Sequence, residues 1–103
     1  MTALRRQLGV FVPGEVDVVE CDYSARLGDG ETITSAARTL TVISGADPAP
    51  GNVLAGAAQV QGPLVRQMLA PSVAGTTYLL TILATTSNGR TLPGVCVVPV
   101  RNP

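Results

Sequence analysis

The stretch that decides the fold reads TYLLTILATT at positions 77–86, SNGR at 87–90 and TLPGVCVVPV at 91–100. Alternate residues of the first segment fall on one face of a strand, namely Tyr78, Leu80, Ile82 and Ala84. The Asn88-Gly89 pair between the segments is the strongest short-range signal for a β-hairpin. Pro93 and Pro99 cannot donate to a ladder, so the second strand is predicted to lie at a sheet edge or at bulges.

The N-terminal half contains two further predicted strands. Residues 16–23 alternate imperfectly and predict a strand. Glu20 and Asp22 are expected to face water, and Val19, Cys21 and Tyr23 to face inward. A glycine-rich turn follows at 28–30. The threonine-rich segment 33–43 exceeds the usual strand length, which predicts a bulge or break near Ala36.

The middle of the chain is less regular. Residues 45–51 are rich in glycine and proline and predict the main loop. Apolar stretches follow at 53–60 and 64–69, and the flanking prolines favour a strand for the second of these. Six or seven short strands with no clear helix predict an all-β, immunoglobulin-like antiparallel β-sandwich. We expect an extended N-terminal arm over residues 1–14 and a single sandwich domain over residues 15–103.

Composition excludes much catalytic chemistry. The chain has no His, and all seven basic residues are Arg. No imidazole is available as a general base or metal ligand, and no lysine amine can form a Schiff base. We therefore predict a protein that is not an enzyme, with no catalytic, cofactor-binding or metal-binding residues.

Cys21 and Cys96 invite comparison with the inter-sheet disulfide of immunoglobulin domains. The chain has no Trp, and the residue two positions before Cys96 is Gly94 instead of the corner tyrosine. Synthesis in a cytosol also disfavours a disulfide. Both cysteines are predicted to be small buried apolar residues.

Charge is balanced overall but unevenly distributed. The net charge of zero argues against nucleic acid as a partner. Acidic residues dominate positions 15–31, which suits head-to-tail packing of like subunits, or else a solvated edge strand. The candidate interface residues are Arg5, Arg6, Glu15, Asp17, Glu20, Asp22, Asp29, Glu31 and Asp47. No signal peptide and no membrane-spanning run is expected.

Three of these acids surround the glycine-rich turn and could in principle hold Ca²⁺, which prefers oxygen ligands. These are Asp22, Asp29 and Glu31. Their spacing does not match the EF-hand pattern, in which ligands alternate before a central glycine. A solvated acidic turn is the favoured interpretation.

Two stretches carry a resemblance to a known family. The first is DYSARLGDGETITS at 22–35, and the second is AGTTYLLTI at 74–82 continuing through TTSNGRT at 85–91. Together they resemble small virion proteins of tailed bacteriophages, of the kind described as fibre–tail adaptor or neck-associated proteins. Tyr23 stands where Trp is common in that group.

The resemblance implies a structural virion protein in the neck or tail region, assembled in the host cytoplasm. It implies fibre, tail or portal-associated proteins as partners, a homo-oligomeric ring, and no membrane contact. Two alternatives share the expected fold: a capsid decoration protein, and a non-viral immunoglobulin-like binding module.

Overall fold

A computed structural model describes the backbone of residues 3–5 and the whole of residues 10–102. The strands are β1 (Ala3–Arg5), β2 (Asp17–Asp22), β3 (Ile33–Ser44), β4 (Gln59–Gln61), β5 (Leu64–Leu69), β6 (Thr77–Thr86) and β7 (Thr91–Pro99). A 3-10 helix spans Pro50–Val53, at the end of the segment predicted to be loop. Within these residues no helix is long and apolar enough to cross a membrane.

The strands form two antiparallel sheets with the orders β1-β2-β5-β4 and β3-β6-β7. Constant-type immunoglobulin domains divide their strands in the same way, with A, B, E and D in one sheet and C, F and G in the other. β1 to β7 therefore take the places of A to G. The predicted β-sandwich is confirmed.

The core lies between the inward faces of the two sheets, as the alternation predicted. Tyr78, Leu80, Ile82 and Ala84 of β6 are buried. They pack with Val19 and Cys21 of β2, and Val65 of β5. Tyr23 is fully buried as well, and its hydroxyl donates to the carbonyl of Ile82 at 3.2 Å. Burial raises the pKa of the Tyr23 phenol. The ring fills space in the core, and its hydroxyl has a hydrogen-bond partner there.

The β6–β7 hairpin confirms the Asn-Gly signal, with a loop of four residues. Thr85 pairs with Thr91, and the N–H of Thr86 donates to the carbonyl of Arg90 at 2.9 Å. Gly89 has φ +80°, a conformation that glycine adopts without steric cost. β7 is an edge strand, as its prolines predicted.

The irregularities of β3 lie at its ends and not in its middle. Register shifts occur between Ile33 and Ser35 and between Val42 and Ser44, whereas the residues from Ser35 to Val42 pair with β6 without interruption. The first shift lies two residues from Ala36 and confirms the predicted bulge near that residue, whereas the second shift was not predicted. Two end bulges allow a long strand to enter and leave the sheet while its central pairing stays regular.

The N-terminal segment contributes to the domain. Phe11 is fully buried and its N–H donates to the carbonyl of Pro99 at 2.9 Å. β1 pairs with β2, so that Arg5 lies in register with Glu20. The core thus includes a residue of the segment for which the sequence predicted an arm. Arg6 lies outside the described residues.

The cysteines differ from those of an immunoglobulin domain in their position. Cys21 is on β2, but Cys96 is on β7, and no disulfide joins them. Cys21 is buried as predicted, whereas Cys96 is only partly buried. Cys96 lies one strand later than strand F, which carries the second cysteine of immunoglobulin domains. Tyr78 lies near the start of β6, but its hydroxyl donates to the Asp47 carboxylate and not to backbone a few residues upstream, so it does not form a tyrosine corner.

Candidate functional site

Both stretches that carry the family resemblance meet at one end of the sandwich. The loop between β2 and β3, residues 23–32, lies there beside the hairpin loop 87–90. The N–H of Ser87 donates to the carbonyl of Thr32 at 2.8 Å, and the N–H of Thr32 donates to the hydroxyl of Ser87 at 3.0 Å. We call this end the loop end. In antibody variable domains the corresponding loops form part of the binding site.

A buried carboxylate holds the loop end together. The side chain of Glu31 is 1% exposed, and its two oxygens accept from Arg90 Nε at 3.0 Å and Arg90 Nη2 at 2.6 Å. The N–H of Gly28 and the hydroxyl of Thr86 donate to the same carboxylate. Bidentate contacts of this kind are strong and geometrically specific. We call these four residues the clamp.

The clamp controls the ionisation of its acid. The hydrogen bonds from Arg90, then from the Gly28 N–H and the Thr86 hydroxyl, lower the pKa of Glu31 to about 2. Glu31 raises the pKa of Arg90 in turn. Both groups are therefore charged at neutral pH, and the oxygens of Glu31 are occupied by donors from this chain. The clamp joins the loop between β2 and β3 to the hairpin loop. Its carboxylate is therefore not available to a metal ion.

The loop end is also joined to β7. Arg90 Nη2 donates to the carbonyl of Arg26 at 2.6 Å, and Arg26 Nη1 donates to the carbonyl of Pro93 at 3.1 Å. Asp22 Oδ1 accepts the N–H of Ser24 at 2.9 Å, which fixes the start of the loop. Asp29 is exposed at the turn itself.

The predicted interface residues do not form one surface. Glu15, Asp17 and Asp47 lie at the end of the sandwich opposite the loop end, where β2 begins and β3 ends. Glu20 lies midway along β2, with its carboxylate 3.5 Å from Arg66 Nε. Glu31 is buried, so it is not part of the exposed acidic surface that the sequence suggested.

Three of these acids accept hydrogen bonds within the chain, two from backbone N–H groups and one from a tyrosine hydroxyl. Glu15 Oε1 accepts the N–H of Val12 at 2.9 Å, and Asp17 Oδ1 accepts the N–H of Val18 at 2.7 Å. Asp47 Oδ2 accepts the hydroxyl of Tyr78 at 2.7 Å. Burial, followed by this contact, raises the pKa of Tyr78 to about 12.

The outer faces of the two sheets differ in chemistry. The outward positions of the three-stranded sheet carry no charged residue, and we call this surface the neutral face. Its members are Ser35, Ala37, Thr39, Thr41, Thr77, Leu79, Thr81, Leu83, Thr85, Thr91, Pro93, Val95, Val97 and Pro99. Val95 and Val97 are 57% and 55% exposed, which is unusual for large apolar side chains that lie close together.

The outer face of the four-stranded sheet is mixed in character. Arg66 and Met68 of β5 line a groove of about 390 Å³ together with Val16 and Val18. Gln59 and Gln61 form the other wall. The Glu20–Arg66 pair lies on this sheet, so it presents charge where the neutral face presents none.

Comparison with protein families gives a match over residues 12–99 to the family described as podophage GP4 fiber-tail adaptor protein gp77. The chain belongs to this family. The match begins next to Phe11 and ends at the last residue of β7, and it includes both stretches on which the resemblance was based. No curated protein matches the chain.

Membership of the fiber-tail adaptor family confirms the resemblance. It identifies the chain as a structural component of a tailed-phage virion that interacts with other tail or fibre proteins. In the structure, the two stretches on which the resemblance was based contact each other. They supply Glu31 on one loop and Arg90 on the other, and the sandwich brings these side chains into contact.

Sequence reasoning missed the clamp and the neutral face. An acid next to glycines looks like a solvated turn, and only the fold places Arg90 against it. The neutral face could have been found, because the odd-numbered residues of all three strands lack charge. That signal requires knowing that β3, β6 and β7 share one sheet.

Proposed function

We propose that this fiber-tail adaptor is a repeated subunit of a ring at the neck or tail of the phage particle, where it connects fibres to tail components by protein–protein contacts. The observation that carries the proposal is the difference between the two outer faces. A connecting subunit must bind at least two unlike partners. The neutral face and the mixed outer face of the four-stranded sheet, which carries the Glu20–Arg66 pair, offer unlike surfaces on opposite sides of the sandwich.

We propose head-to-tail contacts between neighbouring subunits of the ring. Acids dominate one end of the sandwich, where Glu15, Asp17 and Asp47 lie, whereas the loop end carries Arg26 and Arg90 together with Asp22, Asp29 and the buried Glu31 that pairs with Arg90. Heterologous contacts of this kind close into a ring when the rotation between neighbours allows it. The work of such a subunit is binding, and assembly would take place in the host cytoplasm where the chain is made.

Quantitative mass spectrometry of purified virions tests this function, with the copy number measured against the portal protein. A copy number equal to that of the portal, or a small whole-number ratio of it, is expected for a neck or tail ring. Hundreds of copies would place the chain on the capsid surface as a decoration protein and contradict the proposal. Absence from purified virions would contradict it as well.

A further inference from the structure

The two edges of the three-stranded sheet differ in which backbone groups they leave available. Along an antiparallel strand, the N–H and C=O of one residue point to the same side, and successive residues point to opposite sides. The N–H of Thr86 donates to Arg90, and the N–H of Val100 donates to Thr76, each at 2.9 Å. In the β6–β7 ladder, the backbone N–H and C=O groups of the even-numbered residues therefore form the hydrogen bonds between the two strands.

This alternation fixes the directions along both edge strands. Odd-numbered residues of β7 point to its outer edge, as two further contacts show: Pro99 accepts from the N–H of Phe11, and Pro93 accepts from Arg26. Odd-numbered residues of β6 bond to β3, where Ala37 pairs with Leu83 and Thr39 with Thr81. Four residues of β3 then direct their N–H and C=O to the outer edge: Ala36, Arg38, Leu40 and Val42.

The β7 edge is protected against pairing with another chain. Two of its outward positions are prolines, which have no N–H, and both proline carbonyls accept hydrogen bonds from this chain. Prolines and covering contacts are common means of closing a sheet edge. Thr91, Val95 and Val97 keep outward N–H groups within this strand.

The β3 edge is not closed by prolines or by backbone hydrogen bonds of the described chain, although η1 and β4 each come within 8 Å of β3 between Cα atoms. β3 has twelve residues and no proline. Among residues 10–102, no backbone hydrogen bond outside the β3–β6 ladder involves a β3 residue. Arg38 is its one charged residue, and the Arg38 guanidinium donates to the carbonyl of Gly56 at 3.0 Å, across toward the other sheet. The other two edges of the sandwich are three-residue strands, which are too short to serve as templates.

We propose that the β3 edge, from Ala36 to Val42, binds an extended segment of the fibre protein as an additional antiparallel or parallel strand. This inference rests on the proposed function and names the contact through which that function is exercised. Strand addition uses main-chain hydrogen bonds for affinity and alternate side-chain positions for specificity. The segment should be uncharged on the side that continues the neutral face.

A fibre segment fits this edge better than a second copy of the chain does. Pairing β3 with β3 of another copy is an isologous contact, which closes a dimer and cannot build a head-to-tail ring. A β3–β3 pair therefore does not supply the head-to-tail contact proposed above. The family description supplies the fibre as the partner that an adaptor must hold.

Amide hydrogen exchange measured by NMR tests this contact residue by residue. In the subunit alone, the amides of Ala37, Thr39 and Thr41 should exchange slowly, because they bond to β6. The amides of Ala36, Arg38, Leu40 and Val42 should exchange fast. Adding excess fibre protein purified from the same virion should slow the second group at least about tenfold, because each amide gains a hydrogen bond.

Two proline variants provide matched controls. Ala36→Pro and Val95→Pro each remove one outward N–H and no N–H that bonds to β6. Ala36→Pro should weaken binding of the fibre protein at least about tenfold, while Val95→Pro should leave it within about threefold of the wild type. Circular dichroism and thermal melting verify that both variants fold.

Three results would overturn the inference. The fibre protein could bind while the four β3 edge amides keep exchanging fast, which would place the contact elsewhere. It could fail to bind at all. The subunit alone could show slow exchange at these four positions as its concentration rises, which would make a second copy the occupant. None of these results depends on the copy number in the virion. The proposal of a ring could therefore be supported even if the proposed β3 contact is contradicted.

Discussion

At the loop end, the polar groups of the subunit bond to one another. Glu31 accepts from Arg90, Thr86 and Gly28, and Arg90 reaches onward to the carbonyl of Arg26. Along the β3 edge, four successive outward N–H and C=O pairs bond to no other part of the described chain. The polar groups of the loop end are therefore paired within the chain, whereas the β3 edge keeps backbone groups that have no hydrogen-bond partner in the described chain.

The largest effect is expected where the clamp is broken from its exposed side. Arg90→Met removes the guanidinium and leaves the Glu31 carboxylate buried without its main partner, which is more damaging than losing a surface pair. We expect the Tm to fall by about 15 °C, as measured by differential scanning calorimetry. A second substitution, Glu31→Gln, should recover part of this loss because it removes the unpaired charge. A Tm within about 2 °C of the wild type would show that the clamp does not stabilise the loop end.

The next effect separates bonded from open positions on β3. Ala37→Pro removes an N–H that bonds to β6 and leaves the carbonyl of Leu83 without a donor, at a cost of about 2 kcal/mol in the free energy of unfolding. Ala36→Pro removes only an outward N–H and should cost less than about 1 kcal/mol. Urea denaturation of the two variants measures both values. Equal losses would mean that the assigned directions along β3 are incorrect.

Acid should act on the clamp and leave the β3 edge unchanged. The pKa of Glu31 is lowered from 4.5 to about 2 in the folded protein, so its stabilising contribution is fully present above about pH 4.5. That contribution is lost as the pH falls toward 2. The difference in Tm between the wild type and Glu31→Gln should therefore be largest near pH 7 and shrink through this window. A difference that stays constant from pH 7 to pH 2 would contradict the assignment.

The smallest effect is expected away from both regions, at the opposite end of the sandwich. Tyr78→Phe keeps the ring in the core but removes the hydroxyl that donates to Asp47. The expected loss is about 1 kcal/mol in the free energy of unfolding, with no change in fibre binding. Chemical denaturation and the same binding assay measure the two quantities. A loss of fibre binding would extend the contact beyond β3 and weaken the comparison.

Local sequence patterns predicted the parts of the fold that depend on neighbours in the chain. β6 has the predicted bounds because strict alternation and an Asn-Gly turn are local signals. β5 also matches, since Pro63 and Pro71 limit it. The second register shift of β3, between Val42 and Ser44, was not predicted because strand length alone does not say where pairing slips.

Contacts between distant residues were harder to predict. Glu31 and Arg90 are 59 positions apart, and nothing in the sequence near either residue indicates that they meet. The open β3 edge could not be predicted without the strand order. Only when the neighbours of β3 are known can its odd- and even-numbered residues be assigned to backbone groups that point to β6 or to the outer edge. Pro93 and Pro99 did predict that β7 lies at a sheet edge, because their missing N–H groups are a property of the residues themselves.

Cryo-electron microscopy of the fibre attachment site on the intact virion tests the central claim most directly. Our account predicts one additional strand of density beside Ala36–Val42 of each fibre-bearing subunit, with the outer edge of β7 free of any added strand. A fibre seated on the loop end, on the β7 edge, or on the four-stranded sheet, with β3 facing solvent, would contradict it.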